Sequence, residues 1–182
     1  MDTQGSELEI IQGAERLLRN KVSFVLLESW TFEVHKGQAL SGQIMEWMNS
    51  IGFTLIRVHE GAKWHRKPIE ELEAKGLKSL VGLDLLFVRN SFEFGENQHT
   101  ENKILKAAAL AELYGFPDLA IQILDSITDS ERQSVIREAR QIIIQNWKKK
   151  PQNMIFRIVR KILYMVGYHI EKITPSPYAP LH

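Results

Sequence analysis

Asp2, Glu28, Trp30 and His35 are the residues whose types and places could do chemistry together. The opening run Met1-Asp2-Thr3-Gln4-Gly5-Ser6-Glu7-Leu8-Glu9 sets an Asp and a Gly ahead of acids that open an amphipathic helix. That order is typical just after a buried parallel strand at the crevice of an α/β sheet, where ligands lie beyond the carboxyl ends of strands. Gly5 gives the freedom for a tight turn or for close approach of backbone to a ligand. Glu28 ends an apolar run and falls at the same sheet edge as Asp2. Trp30, Phe32 and His35 come next, on the adjoining loop, and could line a pocket there. Plainer readings stand beside these. Asp2 and Ser6 serve equally as helix caps. Glu7 suits a helix N-terminus through the dipole. A lone His is more often packed or solvated than a base. His59 and His65 have no metal-ligand spacing, so no metal site is expected.

The elements that must position these residues can be read from periodicity. Residues 6–19 read as a helix, with Leu8, Ile11 and Leu18 on one face. Val22 to Leu27 is nearly continuous in apolar, β-prone residues, as expected of a parallel strand covered on both faces. Leu40 to Ser50 reads as a second helix with Leu40, Ile44, Trp47 and Met48 buried, stopped near Gly52. Phe53–Val58 and Leu83–Val88 read as strands, and Asp84 departs from the buried pattern of the second. Between them lies a polar, basic excursion with Trp64 and His65, read as ordinary loop residues, and a short helix opening at Pro68. Helix, strand, helix, strand, excursion, strand is an α/β order.

The expected organisation is an α/β part over 1–92, a linker over 93–103, a helical extension over 104–172 and an irregular tail over 173–182. Ile104 to Ala111 opens the helical part, stopped by Gly115 and Pro117. Asp118–Ile127 comes next, then a helix capped by Asp129 or Ser130 and broken at Pro151, then a last helix over about 152–169.

Composition narrows the function classes. The formal net charge is +1, which gives no broad field for nucleic acid. There is no Cys, which excludes disulfides, thiolate metal sites and a Cys nucleophile and fits a reducing, cytoplasmic setting. No apolar run is long enough to span a bilayer, and no signal peptide is evident.

The run Asp2-Thr3-Gln4-Gly5-Ser6-Glu7-Leu8-Glu9-Ile10, then Gly13-Ala14-Glu15 and Val25-Leu26-Leu27-Glu28, resembles the FkbM family of methyltransferases. Phe32-Glu33, Gly37-Gln38, Gly52-Phe53 and Asp84-Leu85-Leu86-Phe87-Val88 fit that family's later pattern. The resemblance covers about residues 1–90. It implies a class I, Rossmann-like fold whose seven-stranded sheet ends in an antiparallel pair. Val22–Leu27 would be its fifth strand, Phe53–Val58 its sixth and Leu83–Val88 its seventh. It also implies S-adenosylmethionine as cofactor and a hydroxyl of a sugar or small metabolite as acceptor. Asp2, Gln4 and Gly5 would lie against the donor, and Asp2 and Glu28 would be catalytic. Asp2 would orient the acceptor hydroxyl or take its proton. Trp30 and His35 would contact the acceptor. The first three strands and the Gly-rich cofactor loop would lie outside this sequence, which has no G-x-G of its own. The expectation is therefore the carboxyl-terminal part of an O-methyltransferase, binding its cofactor weakly or not at all when alone. With its sheet edge uncovered, such a chain would be prone to self-association.

The alternative is a non-catalytic interaction module or an inactive product with a helical tail. Ala107 to Leu124 loosely resembles one tetratricopeptide hairpin, turned at Tyr114-Gly115. The helix over 152–169 is basic and amphipathic, with Ile155, Ile158, Val159, Ile162 and Val166 in one stripe. It could lie on an anionic membrane surface; a packed helix with a solvated charged face is the preferred reading.

Overall fold

The computed structural model describes residues 1–65, 76–91, 99–127 and 133–149. The helix expected at Pro68, the cap at Asp129 or Ser130, the helix over 152–169 and the tail over 173–182 lie outside them. So does most of the expected linker. The chain forms two compact units, Met1–Ser91 and Phe92–His182.

In the first unit, α1 (Glu7–Gly13) and α2 (Glu15–Lys21) replace the single helix expected. They part at Ala14, whose backbone (φ −93°, ψ 7°) leaves helical geometry just after Gly13, a weak helix former. β1 runs Phe24–Trp30, two residues later than the apolar run suggested. Val22 is extended and belongs to the exit from α2. Its carbonyl accepts the Nε–H of Arg89 at 2.9 Å, while the same guanidinium also donates to the Leu18 carbonyl. Arg89 thereby neutralises the carbonyl end of α2 and ties it to the sheet. Next comes α3 (Ser41–Ser50); its first turn is closed by Gln43 Oε1, which accepts the Leu40 N–H at 2.9 Å. β2 (Phe53–Glu60), a small hairpin of β3 (Lys63–Trp64) with β4 (Ser79–Leu80), and β5 (Gly82–Arg89) complete the unit.

The main sheet has the order β1-β5-β2. β5 lies between the other two and is antiparallel to both. β1 and β2 therefore run the same way, joined by α3. Side chains alternate between the two faces. One face carries Leu27, Leu85, Phe87 and Leu83, packed with Ile11, Leu18, Ile44 and Met48 of the helices into one core. The other face carries Leu26, Glu28 and Trp30 of β1. Leu26 is 39% exposed, so β1 is not covered on both faces as its apolar run implied. In β2 the register shifts between Leu55 and Arg57. Strict alternation from Phe53 and Leu55 would send charged Arg57 into the core. The bulge at Ile56 turns Arg57 outward and brings Val58 opposite Leu85.

In the second unit, α4 (His99–Leu113), α5 (Pro117–Asp125) and α6 (Gln133–Lys149) are described. Ala107, Ala108, Ala111 and Ala120 are fully buried, and such small side chains let helices approach closely. The end of α4 is a Schellman motif. Phe116 N–H reaches the Ala111 carbonyl and Gly115 N–H that of Glu112, with Gly115 at φ 85°, left-handed backbone that favours glycine. Pro117 starts α5 directly. Glu112 is fully buried; one carboxyl oxygen accepts the Trp147 indole N–H at 2.8 Å, and the other has no partner among the described residues. Burial pushes its pKa up, against the opposing effect of the Trp147 bond. No described helix is long and apolar enough to cross a membrane.

Candidate functional site

Asp2 is placed by the residue before it. The Met1 ammonium donates to the Leu26 carbonyl at 2.8 Å, and the Met1 carbonyl accepts the Glu28 N–H at 2.9 Å. Bonds to the two residues flanking Leu27 are the pattern of a parallel ladder. Asp2 thus emerges beside Glu28, and the two carboxyls lie within hydrogen-bonding reach.

The loop from Asp2 to Ser6 is held by Glu7. This carboxylate is 2% exposed. One oxygen accepts Thr3 N–H and Thr3 Oγ1 at 2.9 and 3.0 Å, and the other accepts Gly5 N–H at 3.0 Å. Glu7 is therefore the clasp of the loop, a role that its reading as a helix-terminus acid did not contain. Gln4 and Gly5 take left-handed backbone, at φ 56° and 109°. Gln4 Nε2 donates to Asp2 Oδ1 at 2.8 Å. A Cβ on Gly5 would stand 3.2 Å from the Cβ atoms of both His35 and Gln38. The close approach that Gly5 permits is to the loop after β1.

That second loop is equally built. Ser41 Oγ donates to the Trp30 carbonyl at 2.7 Å and accepts Ser29 Oγ at 3.0 Å, pinning α3 to the end of β1. Gln38 Oε1 accepts the N–H groups of Val34 and His35. Its amide is thereby fixed, with Nε2 as the outward donor. Gln38 and Trp30 are 8% and 7% exposed. Four buried polar atoms here have no partner among the described residues: Glu28 Oε2, Trp30 Nε1, His35 Nε2 and Gln38 Nε2. Buried polar atoms are nearly always bonded, so these four mark where a ligand or solvent would supply the missing oxygen or hydrogen.

Glu28 has a pKa pushed up to about 7, first by burial, then by the hydrogen bond with Asp2 and repulsion from Asp2, Asp84 and Glu7. Ionised carboxylates only accept, so a bond between Glu28 and Asp2 forms when one of the two carboxyls holds a proton. Across the sheet, Glu28 lies opposite Asp84 and Asp84 opposite His59. His59 Nδ1 is 3.8 Å from Asp84 Oδ2. No metal-holding cluster occurs among the described residues.

The aromatic residues join the same region. Trp30 meets His35 edge-on at 6.2 Å between ring centroids and Trp64 at 6.1 Å; Phe32 meets Trp64 at 6.0 Å. Sequence reasoning placed Asp2, Glu28, Trp30 and His35 at one edge, and the structure brings these four together. It gave Gln38 no site role, noting it only within the Gly37-Gln38 pair of the family pattern. It read Trp64 as an ordinary loop residue; the β3–β4 hairpin, which pairs residues 63–64 with 79–80, sets it against Trp30. Asp84 did carry a signal, as the charged position in an otherwise apolar strand.

A carboxyl pair, one member protonated near neutrality, can hold or accept a hydroxyl proton and favours a cation beside it. Comparison with curated proteins and with solved structures finds no match. Residues 1–55, which carry Asp2, Glu28, Trp30, His35 and Gln38, match the family model of the methyltransferase FkbM domain, and over that stretch the chain is similar to FkbM methyltransferases.

Proposed function

We propose that residues 1–91 form the acceptor-facing part of an S-adenosylmethionine-dependent O-methyltransferase acting on a hydroxyl of a sugar or small metabolite. The observation that carries this reading is the Asp2–Glu28 carboxyl pair at the end of β1, with Glu28 raised to about 7. The methyltransferase match over residues 1–55 supports it. So does the antiparallel β5 between β1 and β2, which suits the antiparallel end of a Rossmann-like sheet.

In this reading the pair does two jobs. Asp2, held by Gln4, orients the acceptor hydroxyl. Glu28, ionised in about half of the molecules near neutral pH, takes the hydroxyl proton as the oxygen becomes nucleophilic. The bound S-adenosylmethionine supplies the methyl group. Asp2 and Gln4 would face it, and its sulfonium charge suits the carboxyl pair. The Gly-rich turn for its methionine end is supplied from outside these 182 residues, since no G-x-G occurs in them.

Transfer of labelled methyl from S-adenosylmethionine at millimolar concentration, to a panel of neutral glycosides and simple alcohols, tests the proposal. A methyl ether product is expected, and Glu28→Gln is expected to lower its rate by roughly two orders of magnitude, the usual weight of a general base. Transfer unaffected by Glu28→Gln, methylation of carboxylates instead, or no transfer at all overturns it.

A further inference from the structure

Beside the carboxyl pair, Trp30, Trp64 and Phe32 form a chain of ring contacts that runs from buried to open. Phe32 and Trp64 are 42% and 45% exposed. They stand outside the core, and Trp64 touches both Phe32 and Trp30. At the buried end, the indole N–H of Trp30 and the amide donor of Gln38 have no acceptor among the described residues. The Gln38 amide cannot be turned to escape this, because its oxygen already serves Val34 and His35. A ligand seated here must bring oxygen acceptors to the inner end and an apolar face to the outer one.

Charge narrows the class further. Asp2 and Glu28 lie alongside, and Glu7 and Asp84 add to the negative field. Anionic ligands are disfavoured by that field, although the two orphan donors alone would welcome a carboxylate or phosphate. A neutral pyranose ring satisfies every condition. Its C–H face is apolar, and its rim carries hydroxyl and ring oxygens.

We infer that Trp64 is the stacking ring of a subsite for a neutral pyranoside, with Phe32 set across it at 71° between ring planes as a side wall and Trp30 Nε1 and Gln38 Nε2 donating to the sugar oxygens. That this subsite holds the methyl acceptor rests on the function proposed above; the binding of the sugar does not. Neither Trp64 nor Gln38 acts on the reacting atoms; they select and position the ring.

Saturation-transfer NMR on the 182-residue chain without methyl donor tests the inference. The probes are the methyl β-glycosides of glucose, galactose and mannose, with sorbitol and methyl glucuronide as controls. Saturation is expected on the ring C–H protons of at least one glycoside. Sorbitol, which has hydroxyls but no ring face, should show none, and the charged glucuronide should show less. Trp64→Ala should weaken glycoside binding roughly tenfold, the scale of one aromatic contact, and Trp64→Phe should retain most of it. Gln38→Glu keeps an acceptor for Val34 and His35 but removes the donor; it should weaken binding with an unchanged circular-dichroism spectrum. No saturation on any of the three glycosides, equal saturation on sorbitol, or unaltered affinity in Trp64→Ala overturns the inference. Sugar binding with no methyl transfer under any donor concentration would instead overturn the methyltransferase reading and leave this one standing.

Discussion

Glu28 couples protonation to folding. Its folded-state pKa of about 7 lies above the ordinary 4.5. The folded chain therefore holds that proton more tightly than the unfolded one, and this contribution to stability is full below about 4.5 and lost as pH rises to about 7. Solvent reaches much of the group, so the effect stays below about 1 kcal/mol. Glu28→Gln should melt progressively higher than the parent between pH 5 and 8; a difference that does not change with pH would contradict a raised carboxyl. Glu7 works through hydrogen bonds instead, as an acceptor buried under three donors. Glu7→Gln puts an amide donor where an N–H or O–H already points. A loss of about 1–3 kcal/mol in urea unfolding is expected, with freeing of the loop that carries Asp2. Unaltered stability would mean that the clasp is dispensable. The shared edge of Asp2, Glu28 and Trp30 was legible in sequence because strand ends are. The role of Glu7 was not. A first-turn acid looks the same whether it faces solvent or folds back on the loop ahead of it.

At the level of elements, most helices and strands were legible from periodicity, and the departures have causes. The helix over 6–19 breaks beside Gly13. β1 slides toward Trp30 because its polar residues still pair with β5. The helices of the second unit were legible from Ala and Ile spacing and from Gly115 with Pro117. The buried Glu112 among them was not, since its partner Trp147 lies in α6, 35 residues further along the chain. Its raised pKa again means stability lost with rising pH, over the range above its ordinary 4.5. Glu112→Gln keeps an acceptor for the Trp147 indole and removes the buried charge. Its melting temperature at pH 8 should exceed that of the parent, and the gain should shrink at pH 4. A lower melting temperature at both would show that the carboxyl has a partner it needs. Glu112→Leu should be worse than Gln, because it leaves the indole N–H buried without an acceptor.

On the largest scale, the change of hydrophobic period along the chain made the passage from the described strands to α4, α5 and α6 legible. Strand order was not. β5 slots between β1 and β2, and nothing in a run of apolar residues says which neighbour it will choose. The missing G-x-G also sets an expectation for these 182 residues. Calorimetry with S-adenosylmethionine should give a Kd of about 1 mM or weaker, near the limit where binding free energy is only about 4 kcal/mol. Micromolar binding would mean that these residues hold the donor without that turn. The irregular step in β2 has a practical consequence. Ile56 is the extra residue against β5, so the pairs on either side of it are already in phase without it. Excising that one codon should leave both flanks of the strand facing as they do now. Removing Val58 instead would set Arg57 or His59 opposite Leu85, so the step at 55–56 is where this sheet can best absorb a change in length.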